Sequence, residues 1–235
     1  MTPNLPTKKV SCVLVNKNLN DKSKKIIESL NISIVESIEI PTITDCTRFH
    51  PDMQFVLIAD KFALVAKTAY DYYKNILTEF KLKSISGITS PYPYDSALNF
   101  TIIGEHCFAA NHQKHLVDNN FNIIKVKQGY TKCNICVLNK NSIITSDKSI
   151  CHNAEKNGFR AYLLPCDEII LDGYKNGFWG GCSGLIDKDK IFFDGNIEEL
   201  NCYNLLCDIL EKEKIEPIYS REVSLTDTGS IIPLY

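Results

Sequence analysis

The chain has 235 residues, 44% hydrophobic and 23% charged, with 26 basic against 28 acidic side chains and a formal net charge of -2. That length suits one large domain or two small ones, and the composition excludes a disordered or collagen-like chain. No run reaches the roughly 18 apolar residues of a membrane span, residues 1–9 lack the apolar stretch of a secretory signal, and interspersed Lys and Glu leave no basic field for nucleic acid.

The expected setting is therefore cytoplasmic, with neither membrane nor nucleic acid as partner. Arginine occurs only at Arg48, Arg160 and Arg221 among abundant Lys, Asn and Ile, a coding bias of a low-GC bacterium. Ten cysteines in such a chain are expected to be reduced thiols used as small apolar side chains.

Residues 10–18 predict a strand, followed by a helix over 23–30 and a strand over 32–40. Residues 52–62 predict strand, turn at Ala59-Asp60-Lys61 and strand, then a helix over 69–80 and a strand over 82–85. The same order recurs over 97–107, with its turn at Gly104-Glu105-His106, a helix over 113–119 and a strand over 121–126. It recurs again over 132–142, turning at Asn139-Lys140-Asn141, with a helix over 148–157 and a strand over 159–164. A last copy over 181–191 turns at Asp187-Lys188-Asp189 and leads into a helix over 197–212 and a strand over 215–219. The hairpins superpose without gaps, and 10–18 is a fifth copy whose second strand is weak.

One β-β-α-β unit cannot cover its own sheet, so five are expected to pack around a common core. The segment 224–234, apolar only at its end, is expected to return beside the first copy and close the ring. The predicted fold is an α/β propeller of five pseudo-symmetric β-β-α-β units in one domain, 1–235, with units about 8–45, 46–90, 91–127, 128–175 and 176–235.

Within the superposition one column holds Ser11, Gln54, Asn99, Asn134 and Ser183, all uncharged hydrogen-bonding side chains. Read as strand residues facing the axis, they predict either a self-satisfied polar plug or a site for a small polar ligand. The segments entering the hairpins, with Tyr92, Tyr94, Tyr130, Phe178 and Trp179 beside polar groups, form the expected mouth. Cys133 and Cys136, read on one strand, point to opposite faces and cannot share a metal or a disulfide. Cys182 shares a column with Met53, Leu98 and Cys133 and reads as a core thiol. The histidines show no metal spacing and read as surface residues, so no metal is expected.

Five such units closed by a C-terminal strand resemble the pentein fold of the guanidino-group-modifying enzymes: arginine deiminase, dimethylarginine dimethylaminohydrolase, the amidinotransferases and agmatine deiminase. The segments 92–99, 129–133, 177–184 and 225–234 look like a clostridial branch of that fold. The resemblance implies a Cys nucleophile near the C-terminus, a His in the fourth unit as acid and base, and carboxylates for the guanidinium. Here Asp227-Thr228-Gly229-Ser230 contains no Cys, and Tyr130 and Lys132 stand where the His and its acidic neighbour are expected. Asp95 and Asp227 survive.

The reading is thus a protein binding a small polar, amino-acid or guanidino-like molecule through Asp95, Asn99, Tyr130, Lys132, Asn134, Ser183, Asp227 and Ser230, with no cofactor. An alternative is a relative of the amidinotransferases and deiminases that acts on carbon–nitrogen bonds with altered groups, Lys132, Cys182 or Ser230. A second is a non-catalytic scaffold whose protein partner docks on the outer surface.

Overall fold

The computed structural model describes residues 2–117 and 120–234. Strand β1 (Cys12–Val15), helix α1 (Asp21–Ser29) and strand β2 (Ser33–Glu36) open the chain. A single helical turn α2 (Pro51–Gln54) then precedes β3 (Phe55–Ala59), β4 (Phe62–Ala66), α3 (Tyr70–Ile76) and β5 (Lys81–Ile85). The third unit is β6 (Thr101–Ile103), β7 (His106–Ala109), a 3-10 helix (Asn111–Leu116) and β8 (Asn122–Lys125). The fourth is the helical turn α4 (Thr131–Asn134), β9 (Cys136–Asn139), β10 (Ser142–Thr145), α5 (Lys148–Lys156) and β11 (Arg160–Leu163). The fifth is β12 (Ser183–Asp187), β13 (Lys190–Phe193), α6 (Tyr203–Glu213) and β14 (Glu216–Tyr219), and β15 (Ile232–Leu234) ends the chain.

Among the described residues the strands form five three-stranded sheets, each an antiparallel pair with a parallel third strand. In the second to fifth units the pair is a hairpin of consecutive strands, and the parallel strand returns after the helix. Tight turns fall where expected: Lys61 (φ 49°) and Gly104 (φ 62°) supply left-handed residues at two of them. Middle strands β4, β7, β10 and β13 are almost wholly buried, while the returning strands are half-exposed. Phe55, Tyr73, Phe100, Phe108, Trp179 and Phe193 are fully buried among them.

The first sheet differs from expectation. β1 pairs in parallel with β2 and antiparallel with β15, with Cys12 opposite Leu234, so it takes the middle place of its sheet. The missing strand is therefore the first of the hairpin, and β15 supplies it from the far end of the chain. Residues 227–230, ahead of β15, are then equivalent to 51–54, 96–99, 131–134 and 179–182 ahead of the other first strands, and Ser11 is not.

Two segments read as strand are helical turns. Pro51 starts α2, where its fixed φ suits the first helical position and its missing N–H is no loss. In α4, the N–H groups of Thr131 and Lys132 bond back to Asn99 O, which turns the chain before β9 begins. Cys133 thus lies on α4 and not on the strand of Cys136, so the argument that the two point to opposite faces of one strand falls. The helix expected over 113–119 is the 3-10 helix ending at Leu116, because buried Gln113 ties its carboxamide to Ala110 N, Ser96 O and Gly129 O; Asn119 lies outside the described residues. No helix of the described residues is long and apolar enough to cross a membrane.

Candidate functional site

The five segments ahead of the first strands meet in a ring. Asp52 N bonds Gly229 O at 3.2 Å, Ser230 N bonds Gly181 O at 2.7 Å, and Gly181 N bonds Cys133 O at 2.8 Å. Lys132 N donates to Asn99 Oδ1 at 2.8 Å, and Asn99 Nδ2 reaches Met53 Sδ at 3.5 Å, which completes the circle. The approach is close enough to need glycine. A Cβ on Gly181 would fall on the Asp227 carboxylate, and one on Gly229, already at φ 84°, would fall on the His50 side chain.

On one side of the ring opens a cavity of about 320 Å³. Tyr92, Tyr130, Tyr174, Phe178, Leu171 and Met53 give it aromatic and apolar walls, and Thr47, Gln128 and Asn176 contribute polar groups. Tyr130 and Tyr174 donate their hydroxyls to Asp95 Oδ2 (2.8 Å) and Asp45 Oδ2 (2.7 Å), which holds the rings in place. Three buried side chains complete the lining: His50, Cys133 and Asp227, whose ligand-type atoms all lie within 4.8 Å of one another.

Each of the three is positioned from its own segment. His50 is the residue before α2, with its Nδ1 4.0 Å from Asp227 Oδ1 and without a hydrogen-bond partner. Asp227 accepts Phe178 N on Oδ2 and Gly229 N on Oδ1, both at 3.0 Å. The Cys133 thiol donates to Asp52 Oδ2 at 3.1 Å and receives Asn99 Nδ2 at 3.1 Å. Asp52 Oδ2 also accepts Ser230 Oγ at 2.7 Å, while its Oδ1 is buried and unpaired.

Burial decides the charges. It pushes the Cys133 thiol well above the ordinary range, with Asp52 and Asp227 adding repulsion to its anion. It lowers His50 from its ordinary value despite Asp52 and Asp45, so the ring is neutral at pH 7 and makes no ion pair with Asp227. Asp227 is raised to about 8, by burial first and the nearby Asp52 second. The pocket thus holds a neutral thiol, a neutral imidazole and buried carboxyl groups that feel Lys132 from behind the ring. Among the described lining residues themselves there is no Lys or Arg.

Residues 14–232 match the model of a family described as a family of unknown function, DUF6873. The chain belongs to that family.

No curated protein matches the DUF6873 chain in sequence. Solved structures match it along almost its whole length. An inosamine-phosphate amidinotransferase from Streptomyces griseus aligns with a TM-score of 0.63 at 8% identity, covering 100% of this chain and 96% of that one. An agmatine deiminase from C. jejuni aligns at 0.58 and 10% identity with the same coverage. DDAH from Pseudomonas aeruginosa, complexed with citrulline, aligns at 0.55 and 9% identity, covering 94% of each chain. Identities this low speak for the fold alone. The DUF6873 chain has the pentein fold.

Of the eight residues expected to bind a ligand, only Tyr130 and Asp227 line the large cavity of this DUF6873 chain. Asp95 stands behind Tyr130, and Asn99 and Ser230 stand beneath Cys133 and Asp52. Lys132 points to the other side of the ring, into cavities of about 10 Å³ near Asn4. Asn134 bonds Tyr130 O within its own turn and Ser183 bonds Trp179 O, so neither faces the cavity.

The expected axial column is corrected accordingly. Gln54 is spent on Ile38 of the first unit, His50 O and Tyr73, and Asn99 bonds to α4 of the fourth unit. The column fails because its residues precede or start the strands, where alternation of faces does not apply. Cys182 lies in the core, its thiol on Trp179 O, and Ser230 Oγ is committed to Asp52.

The expectation that all histidines sit at the surface fails at His50, which is 4% exposed. His50 and Cys133 are the residues that sequence reasoning missed. The signal available was Cys133 beside the aromatic Gly129-Tyr130 entry, and Arg48-Phe49-His50-Pro51 in the equivalent entry of the second unit.

Proposed function

We propose that this pocket binds a compact organic cation of the guanidinium or amidinium type, and that Cys133 attacks its central carbon. The observation that carries the proposal is the Cys133, His50 and Asp227 cluster at the floor of a cavity walled by aromatic rings. Aromatic faces attract cations, and paired carboxylates match the planar N–H edges of a guanidinium. The fold neighbours, an agmatine deiminase among them, support the chemical class.

The bound cation brings a positive charge to the pocket side of Asp227, opposite buried Lys132. Against it Asp227 gives up its proton, and the repulsion that the nearby carboxyl groups exert on a Cys133 thiolate is offset. Cys133 Sγ then forms a bond to the amidine carbon while the thiol proton passes to His50. As the C–N bond breaks, His50 returns that proton to the departing nitrogen, and the S-linked intermediate is released to water or to an acceptor amine. The role of nucleophile, implied by the resemblance for the C-terminal segment, is thereby moved to α4, and that of proton carrier from the fourth unit to His50.

With no basic residue in the lining, a ligand carboxylate would go unpaired. Cations without a carboxylate, such as agmatine, are therefore expected to bind better than arginine. A thermal-shift series tests this. At a hundredfold excess over Kd the bound cation contributes about 2.7 kcal/mol, a rise of roughly 5–10 °C in Tm for a chain of this size. The shift should persist in Cys133→Ser while any turnover is lost, and should collapse in Asp52→Asn. Equal shifts for arginine and agmatine, or turnover surviving in Cys133→Ser, would contradict the assignment.

A further inference from the structure

We infer that Cys133, His50 and Asp227 also form a binding site for one divalent cation of the zinc type, open to the pocket. The inference does not require the reaction proposed above, because it rests on the donor atoms alone.

The three donor atoms lie within 4.8 Å of one another and come from three segments locked by the ring. Around a tetrahedral zinc with bonds of about 2.0–2.3 Å, donors sit roughly 3.3–3.6 Å apart, so a small inward shift completes the site. His50 Nδ1 is buried without a partner, and its 4.0 Å separation from Asp227 Oδ1 is too long for a hydrogen bond. A cation between the two satisfies both.

The surroundings suit it. Asp227 is oriented by Phe178 N and Gly229 N, and Asn99 Nδ2, 3.1 Å from the Cys133 sulfur, donates to it as a partner that a metal-bound thiolate keeps. One sulfur, one imidazole nitrogen and one carboxylate oxygen form a borderline donor set that favours zinc over magnesium or calcium. All three residues line the 320 Å³ cavity, so the fourth position faces the space an organic ligand would occupy. On binding, the metal–sulfur bond replaces the thiol proton, which leaves to solvent. Metal and organic cation then exclude each other, a competition that does rest on the function proposed above.

The test uses Zn²⁺ and Co²⁺ on the purified chain. X-ray absorption of the wild-type protein loaded with one equivalent of Zn²⁺ should show a single sulfur at about 2.3 Å with nitrogen and oxygen ligands near 2.0 Å. Co²⁺ should give a thiolate charge-transfer band that disappears in Cys133→Ser, persists in Cys166→Ser, and needs at least about tenfold more Co²⁺ in His50→Ala. Two or more sulfurs around Zn²⁺, or a band that survives Cys133→Ser, would overturn the site. If agmatine displaces Co²⁺, metal and organic ligand share the floor of the pocket. If no organic cation binds but the Co²⁺ results hold, the metal site stands and the proposed function falls.

Discussion

Asp227 shows how one buried residue couples stability to pH. Its folded-state pKa, about 8, lies above the ordinary 3.8. The native state therefore holds its proton more tightly than the unfolded chain does. The stability this contributes is complete below about pH 4 and is lost as pH rises towards 8. Asp194, raised to about 6 by burial, acts the same way over a lower range. His50, lowered from 6.5, acts with the opposite sign, its contribution fading as pH falls below 6.5. Buried Lys132, lowered from its ordinary value by desolvation, acts with the opposite sign as well, so the Asp227 share is read from the difference between the wild type and Asp227→Asn. Between pH 6.5 and 8 that share amounts to up to about 1.4 kcal/mol lost per pH unit in urea denaturation, and Asp227→Asn should remove it from the slope. An unchanged slope in the variant would place the titrating group elsewhere.

At the scale of elements, the short helical turns ahead of the strands carry the site, and Asn99 joins two of them. Its Oδ1 accepts both Lys132 N and Cys133 N, the N–H groups that α4 cannot pair internally. Asn99→Ala leaves Cys133 N buried and without that acceptor. A loss of about 1–3 kcal/mol is expected, together with faster alkylation of Cys133 as its turn loosens. A loss below about 0.5 kcal/mol would mean that the contact is replaceable. The hairpins and their turns could be read from alternating apolar residues and turn chemistry, because both are local. The helical character of 51–54 and 131–134 could not, since four residues hold a single turn, and hydrogen bonds to Asn99 in another unit are part of what shapes the second.

At the scale of the molecule, the ring depends on β15. Ile232, Pro233 and Leu234 pair with Leu14, Val13 and Cys12, and Ser230 and Gly229 bond into the neighbouring segments. Removing residues 231–235 strips β1 of its antiparallel partner and unseats Asp227 from the site. The truncated chain is expected to lose its cooperative thermal transition rather than shift it by a few degrees, which calorimetry would register. A sharp transition in the truncated chain would mean that four units suffice.

The sequence by itself determined the mixed α/β order of hairpins, helices and returning strands behind the five three-stranded sheets, and the return of the last strand beside the first. These follow from periodicity and turn residues, which act over a few positions. Only the tertiary structure decided which polar residues meet. His50, Cys133 and Asp227 are far apart along the chain, and nothing in the spacing of any two announces the third. They converge because five equivalent segments surround one axis, and because Gly181 and Gly229 let the backbones approach until buried side chains touch. The same closeness buries Asp227 and raises its affinity for protons.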